Sequence, residues 1–301
     1  MSWYGGEPLL EMERISQISN ALIPFCDKRE VMYNAEITTN GYLLTRENAQ
    51  LLRKYRVADA QVTIDGLEKT HNARRKLKSG QDSFWTIVNN IQNVKDLIHI
   101  NIRINVDRNN LNEIDKLTDF FIYEQKWGKD VHFYIARVEK NTIACKVDLD
   151  ECLKIDDFSL LHQRVTEKML TNGITCVLNN EYPRFQAVGC GAICKNYYVV
   201  DAHGLIYTCW NHVGDKSKSI GSIFEPEKIT LSGRYLHWMN VHISNKCKKC
   251  VYLPICQGGC PDQRMNNSGV PVCFHSAFTY IDSLKLNYMH QIKEREAHNK
   301  V

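Results

Sequence analysis

Residues 60–66 read Ala-Gln-Val-Thr-Ile-Asp-Gly, and the fold prediction rests on this pattern. The β-branched run Val62-Thr63-Ile64 favours a strand, and the Asp65-Gly66 pair after it is typical of a turn. Three further runs of this kind are predicted as strands, at residues 35–40, 100–106 and 131–138. Intervening segments carry apolar side chains at spacings of three and four, which indicates helices, at residues 84–98 and 111–121. The alternation predicts an α/β fold with a parallel sheet, either a barrel or a doubly wound sheet.

The predicted strands end in turn residues followed by polar residues, at Asn40-Gly41, Asp65-Gly66 and Asp107. In parallel α/β folds the carboxyl ends of the strands hold the active site. The segment Tyr4-Gly5-Gly6-Glu7-Pro8 fits the same place, as the end of a strand whose start is barely present. We therefore expect a binding site along this edge of the sheet.

Composition and charge narrow the class of protein. The chain has 301 residues, enough for one large domain or two ordinary ones, and a formal net charge of +4. The basic runs at residues 74–78 and 246–249 are interpreted as solvated surface, which argues against a nucleic-acid partner. No apolar run reaches the roughly 18 residues of a membrane span, and no signal peptide is recognisable, so we predict a cytoplasmic protein without a membrane partner. Twelve cysteines then point to metal rather than disulfides.

The character of the sequence changes after the predicted sheet. A helix is expected at about residues 158–171, and the density of glycine and cysteine rises between Gly189 and Cys273. This region is predicted to be a second module held by something other than a large apolar core. A last amphipathic helix is predicted from about residue 277 to 296, with an apolar face that we assign to core packing: Phe278, Ile281, Leu284, Tyr288 and Ile292.

Eight cysteines of the second module are spaced like metal ligands. Four follow the pattern Cys247-x2-Cys250-x5-Cys256-x3-Cys260, and the others are Cys190, Cys194, Cys209 and Cys273. Two sets of four thiolates suit either tetrahedral zinc or iron–sulfur clusters, and spacing alone leaves both open. The remaining four cysteines share no spacing and are interpreted as small packed side chains: Cys26, Cys145, Cys152 and Cys176.

These motifs occur in a fixed order: Tyr4-Gly5-Gly6-Glu7-Pro8, Thr38-Thr39-Asn40-Gly41, Thr63-Ile64-Asp65-Gly66 with His71 and Arg75, Arg103-Ile104-Asn105-Val106-Asp107, and the later cysteines. In that order they resemble a radical S-adenosylmethionine enzyme with a SPASM domain, similar to anaerobic sulfatase-maturing enzymes and ribosomal-peptide maturases. The resemblance implies a partial (β/α)6 barrel over residues 1–140, a linker helix region over 141–185, a SPASM domain over 186–276 and a C-terminal helix over 277–301.

The resemblance also implies cofactors and their ligands. Two auxiliary 4Fe–4S clusters are expected, the first on Cys190, Cys194, Cys209 and Cys260, the second on Cys247, Cys250, Cys256 and Cys273. S-adenosylmethionine is expected in a cradle formed by Gly5, Gly6 and Glu7, with Thr63 near the ribose and Arg75 near the methionine carboxylate. The expected partners are a peptide or protein substrate and an electron donor such as a flavodoxin or ferredoxin.

Two departures from the family pattern bear on activity. The radical-generating cluster of this family, a third 4Fe–4S centre, is held by a CxxxCxxC triplet on the loop after the first strand, and no such triplet occurs here. We therefore expect a truncated form that lacks the first strand and does not cleave S-adenosylmethionine alone, so whether it acts as an enzyme stays open.

The second departure concerns the substrate. Trp210 stands where sulfatase-maturing members carry an aspartate that serves as general base. Because an indole cannot accept a proton, formylglycine formation is disfavoured, and oxidative peptide maturation such as a thioether crosslink is the first hypothesis. A non-catalytic two-cluster electron-transfer or peptide-binding protein is the alternative. No general base is identified, and Asp201, His203 and His212 are interpreted as structural.

Overall fold

The computed structural model describes residues 1–128, 130–140, 147–175, 185, 189–266, 270, 273 and 276–298. The chain divides into two compact units. The first, here called the sheet unit, comprises Met1–Val138, Glu151–Leu153 and Arg164–Val177. The second, here called the cysteine unit, comprises Glu139–Asp150, Lys154–Gln163 and Leu178–Val301.

The sheet unit contains a five-stranded sheet in the order β1-β2-β3-β4-β5. The strands are β1 (Ser2–Trp3), β2 (Ala35–Thr39), β3 (Val57–Thr63), β4 (His99–Val106) and β5 (Val131–Arg137). All neighbours pair in parallel, so the carboxyl ends of the five strands lie along one edge of the sheet. The α/β fold with a parallel sheet is thus confirmed.

Helices follow most strands of this sheet. They are α1 (Met12–Asp27), α2 (Arg46–Lys54), α3 (Glu68–Arg74), α4 (Phe84–Val94) and α5 (Ile114–Asp119). A sixth helix, α6 (Ile155–Thr171), begins in the cysteine unit and ends in the sheet unit. One π turn continues α5 over Phe120–Glu124, and 3-10 turns lie at Pro8–Glu11, Leu111–Glu113 and Leu149–Glu151. The apolar spacing of α4 predicts its buried face correctly: Phe84, Ile87, Val88, Ile91 and Val94.

One face of the sheet is apolar and the other is polar. Along β4, the fully buried Ile100, Ile102 and Ile104 alternate with polar residues that are exposed or half-buried, from His99 to Asn105. The period of two is that of a strand with one face in the core. The core of the unit therefore lies on the helical side, and the opposite face presents hydrogen-bonding side chains.

The cysteine unit has little regular structure. Its antiparallel sheet consists of β6 (Val199–Val200), β7 (Leu205–Tyr207) and β8 (Gly221–Ser222). Its helices are α7 (Gly233–Met239), α8 (Asn245–Lys248), α9 (Leu253–Cys256), α10 (Pro261–Asn266) and α11 (Ser276–His298). Short 3-10 turns lie at Gly191–Ile193, Trp210–His212, Lys216–Lys218 and Pro226–Leu231.

The apolar packing of the cysteine unit includes two small buried clusters. One consists of Ile206, Ile220, Ile229 and Tyr235, and the other of Ala192, Cys209 and Trp238. Clusters of this size contribute little of the stability that a domain requires, which is the usual situation of small domains held by disulfides or metals. None of the ten described cysteines forms a disulfide.

The prediction for the buried face of the last helix was wrong for Ile281 and Tyr288, while Leu284 and Ile292 are half-buried. In α11 the buried side chains are Thr279, Ser283 and Asn287, whereas Ile281 and Tyr288 are more than half exposed. The buried residues also recur at a helical spacing, four apart, and short polar side chains can be buried when they bond locally, as Asn287 does to the Ser283 carbonyl at 2.9 Å. The side chain of Phe278 lies outside the described residues.

Across the described part of the chain, the helices are either too short or too polar to span a lipid bilayer.

Candidate functional site

The loop after β1 is fastened to the end of β2 by the carboxylate of Glu7. Its Oε1 accepts hydrogen bonds from the Leu9 amide at 3.0 Å and the Thr39 hydroxyl at 2.7 Å, and its Oε2 accepts one from the Asn40 amide at 2.7 Å. An ionised carboxylate offers about four lone-pair sites, so about one is left for a further donor. Glu7 therefore acts first as the anchor that positions this loop.

The two glycines before Glu7 leave the loop open. Both are exposed, and no atom lies within 4 Å of the place where a Cβ would sit on Gly5 or Gly6. Gly5 has a φ of +126°, a backbone conformation that side chains of other residues disfavour. A ligand can therefore approach the backbone of this loop without meeting a side chain.

The end of β3 carries a network centred on Asp65. This residue is 3% exposed, its Oδ2 accepts a hydrogen bond from Arg75 Nε at 2.7 Å, and its Oδ1 accepts one from the Asn105 amide at 2.9 Å. Thr63, the last residue of β3, is also buried. Arg75 is held in place by an ion pair at this strand end, and about a third of its side chain stays accessible.

The interpretation of the basic run at residues 74–78 as solvated surface was wrong for Arg74 and Arg75, whereas Lys76 and Lys78 are exposed. Arg74 makes a bidentate pair with Asp107, with N···O distances of 2.9 and 2.7 Å, at the end of β4. Asp107 is 2% exposed, and bidentate pairs of this geometry are strong and directional. Together, Arg74 and Arg75 brace the ends of two neighbouring strands.

His71 is a buried structural member of the same network. Its side chain is fully buried, with Nε2 3.2 Å from the Ser83 hydroxyl and Nδ1 3.4 Å from the Asp65 amide. Burial lowers the pKa of His71 to about 4, and the nearby positive charge of Arg75 adds to this effect. The imidazole is therefore neutral at physiological pH and suited to hydrogen bonding.

Sequence reasoning missed a group of polar side chains on the open face of the sheet. His99 Nδ1 lies 2.9 Å from Asp59 Oδ1 on β3, and the His99 ring meets the His132 ring edge to face at 4.4 Å between centroids. Burial lowers the pKa of His132, as does the neighbouring His99. The signal available in the sequence was the strand alternation, which places these residues on the face opposite the core.

The structure brings Cys190, Cys194, Cys209 and Cys260 together. Burial raises the pKa of the Cys190 thiol, and the neighbouring Cys260 and Cys194 raise it further. Burial likewise raises the pKa of Cys209 to about 12, with contributions from Asp262, Cys260 and Cys190. Backbone amides of Ala192 and Asn211 donate to the sulfurs of Cys190 and Cys209, an arrangement that stabilises thiolate ligands.

A second group forms around Cys247. Burial raises the pKa of this thiol, and three other cysteines raise it further: Cys256, Cys250 and Cys273. Each group has the same four members as one of the two ligand sets that the sequence resemblance implies. Four thiols are the number of donors that one metal centre or iron–sulfur cluster takes, so the assignment of the two groups as ligands stays a prediction. The described residues contain no set of three or more histidine, cysteine or acidic side chains arranged to hold one metal ion.

The remaining cysteines stand apart from both groups. Cys26 and Cys152 are half-buried, and neither forms a disulfide. Cys145 and Cys176 lie outside the described residues.

The three residues considered as bases have structural partners or stand exposed. Asp201 caps a turn, where Oδ1 accepts from the amides of His203 at 2.8 Å and Leu205 at 2.9 Å. His203 itself is exposed. His212 is buried, and its Nε2 lies 2.7 Å from Asp262 Oδ1.

Known proteins with similar sequences were identified by comparison. No protein-family model matches the chain. The cysteine-type anaerobic sulfatase-maturating enzyme of Clostridium perfringens is 24% identical over 284 residues, which cover 86% of this chain and 73% of that enzyme. The Fe-coproporphyrin III synthase of Methanosarcina barkeri is 26% identical over 145 residues, 48% of this chain and 34% of the synthase.

Two solved structures share the fold. Native anSMEcpe with bound AdoMet and Kp18Cys peptide aligns with a TM-score of 0.69 at 19% identity, over 100% of this chain and 85% of that one. Streptococcus suis SuiB bound to its precursor peptide SuiA aligns with a TM-score of 0.62 at 20% identity, over 91% of this chain and 63% of SuiB. In sequence and in fold, the chain is thus homologous to the anaerobic sulfatase-maturating enzymes, the radical S-adenosylmethionine and SPASM group that its motifs resemble.

Proposed function

We propose that this chain binds S-adenosylmethionine at the carboxyl edge of its sheet and two 4Fe–4S clusters in its cysteine unit, as parts of a maturase that oxidises a peptide or protein. The observation that carries the proposal is that eight cysteines fall into two groups of four. The first group is Cys190, Cys194, Cys209 and Cys260, and the second is Cys247, Cys250, Cys256 and Cys273. Each group offers the four thiolates that one cluster requires.

Each candidate ligand of S-adenosylmethionine has a role that its geometry permits. The open backbone at Gly5 and Gly6 suits an ammonium group, since peptide carbonyls accept its hydrogen bonds. Arg75 is oriented by Asp65 through Nε, so the rest of its guanidinium can meet a carboxylate. Thr63 is the last residue of β3, two positions before Asp65, and its hydroxyl is the group that we assign to the ribose. In this type of enzyme, S-adenosylmethionine supplies the radical that removes a substrate hydrogen atom.

Cluster content is the first test of the proposal. Protein reconstituted with iron and sulfide under anaerobic conditions should hold about eight of each per chain. The Cys190→Ala and Cys247→Ala variants should each lose about half of the bound iron and sulfide. The Cys26→Ala variant, whose cysteine lies outside both groups, should lose none. Colourless protein with about two zinc ions per chain would contradict the cluster assignment.

Binding of S-adenosylmethionine separates the proposal from a non-catalytic cluster carrier. The sequence holds no CxxxCxxC triplet, so binding rather than cleavage is the property to measure on this chain. Equilibrium dialysis with labelled S-adenosylmethionine should show binding that Arg75→Ala weakens about tenfold, the equivalent of about 1.4 kcal/mol. Arg46→Ala, which removes an exposed pair with Asp96, is the matched control. A carrier without this site would bind no S-adenosylmethionine in any variant.

For the substrate, we favour a peptide that is crosslinked through sulfur, with an electron donor of the flavodoxin or ferredoxin type. Formylglycine formation is the competing chemistry, since curated relatives are sulfatase-maturating enzymes. Trp210 follows Cys209 and is 59% exposed, and its indole cannot take a proton from a substrate thiol. The products differ in composition, because a thioether retains the cysteine sulfur and formylglycine does not. Mass analysis of a peptide recovered from cells that co-express it with this chain therefore separates the two.

A further inference from the structure

Arg264 is a buried cation in the cysteine unit. It lies in α10, four residues after Cys260, and is 2% exposed. Its Nη1 donates to the Gln257 carbonyl at 3.2 Å, whereas its Nε is buried with no hydrogen-bond partner among the described residues. The acidic residue nearest in sequence, Asp262, is bonded to His212 instead.

A guanidinium in this position requires a negative charge nearby. Arginine stays protonated in proteins, so it cannot escape the cost of burial by losing its proton. A buried charge without compensation is strongly destabilising. Within the described residues, no carboxylate pairs with Arg264. Its positive charge reaches one cysteine of each group: it opposes the rise in the pKa that burial causes at Cys190, in the first group, and at Cys247, in the second.

The chain that joins the two groups is wrapped around this guanidinium. Gln257, Gly258 and Gly259 connect Cys256 of the second group to Cys260 of the first, and all three have left-handed φ values, of 51°, 83° and 77°. A side chain on Gly258 would collide with Arg264 Nη1. The crossover segment therefore adopts an unusual backbone conformation that leaves room for the guanidinium and bonds to it.

We propose that Arg264 is the shared counter-charge of the two clusters, a positioning residue between the two thiolate groups that raises the reduction potential of both. The inference rests on the proposed function, since it requires that both groups hold 4Fe–4S clusters. A cluster with four thiolate ligands is anionic and gains further negative charge on reduction. A buried cation therefore stabilises the reduced form more than the oxidised form, and the unpaired Nε–H is a donor available to a cluster or thiolate sulfur.

Arg264→Met tests this role in the full chain. Both clusters of the reconstituted variant should become harder to reduce, by about tenfold in the ratio of reduced to oxidised cluster at the wild-type midpoint, or about 59 mV. The measurement is a redox titration followed by electron paramagnetic resonance, with iron content determined on the same samples. Arg234→Met, which removes an exposed charge from α7, is the control and should leave both potentials unchanged.

The outcomes are distinct. Unchanged potentials in a fully loaded Arg264→Met variant, or a change in one cluster only, would overturn the shared role while the cluster assignment stands. Wild-type protein without iron–sulfur clusters would overturn the proposed function instead. Where Arg264→Met does not load, Arg264→Lys decides: it keeps the charge, so potentials close to those of the wild type support the proposal, and a drop in both would contradict it.

Discussion

The two units build candidate binding sites in different ways. At the sheet edge, the functional side chains are held by other side chains and by backbone amides, as Arg75 is by Asp65 and Glu7 is by Asn40. In the cysteine unit, burial and neighbouring cysteines raise the pKa values of Cys190, Cys209 and Cys247. The comparison teaches that contacts within the fold already position the first site, whereas the second, if the proposed function holds, depends on the clusters that it binds.

Removal of iron should have the largest effect, and it should fall on one unit only. Because a metal bound only by the folded state contributes its binding energy to folding, iron-free protein should lose most amide protection between residues 189 and 266. The core strands β2 to β4 should stay protected, since their apolar residues are fully buried. Hydrogen exchange of loaded and iron-free protein measures both regions at once. Equal protection of the cysteine unit in both preparations would show that this unit, like the sheet unit, does not depend on iron for its stability.

Loss of a core side chain should be the next largest effect, this time in the sheet unit. Ile102 in β4 is completely buried, so Ile102→Ala should lower the free energy of unfolding by about 2–5 kcal/mol. Ile18→Ala, at a position that is 40% exposed, should cost far less and serves as the control. Urea denaturation followed through the sheet unit reports the difference. Similar midpoints for the two variants would show that the sheet is not the main source of stability.

A smaller effect is expected from pH through His71. The pKa of this residue is about 4 in the folded protein and about 6.5 when unfolded, so the unfolded state binds its proton first as pH falls. The contribution of His71 to the free energy of unfolding is therefore fully present above pH 6.5 and is lost as the pH falls toward 4. At pH 5 the loss amounts to about 2 kcal/mol. Urea midpoints of the wild type and His71→Gln between pH 7 and pH 5 measure it. The wild type should show the steeper decline, and parallel curves would remove His71 as the cause.

How far the sequence predicted these features depended on the range of the interactions. The strands around Val62 and Ile102 were predicted from their own composition, because β-branched runs and alternating burial are local properties. The pair between Arg74 and Asp107 was not, since 33 residues separate the partners and only the parallel sheet brings their strand ends together. Arg264 was missed because arginines are usually exposed, and nothing in its local sequence marks it as buried.

The last helix shows a second limit of prediction from sequence. Its apolar residues and its buried polar residues both recur with a helical spacing, so periodicity alone could not choose between the two faces. Ligand sets are a further case: spacing indicated two sets of four thiolates, but it did not pair Cys260 with Cys190, 70 positions earlier. That pairing came from the family resemblance, and the electrostatic influence of Cys260 on Cys190 in the folded chain is consistent with it.

The smallest effect tests whether the glycine loop is preorganised by the sheet edge. Thr39→Val keeps the shape of a buried β-branched side chain but removes the hydroxyl that donates to Glu7 at 2.7 Å and accepts from the Gly41 amide at 3.1 Å. Loss of these bonds should lower the free energy of unfolding by about 1 kcal/mol. It should also speed hydrogen exchange at the Asn40 amide, because the Glu7 carboxylate that holds this amide loses one of its anchors. Thr38→Val, on the opposite face of β2, should change neither quantity. If Thr39→Val leaves exchange at Asn40 unchanged, the two backbone amides alone hold Glu7, and the loop is more rigid than its side-chain contacts require.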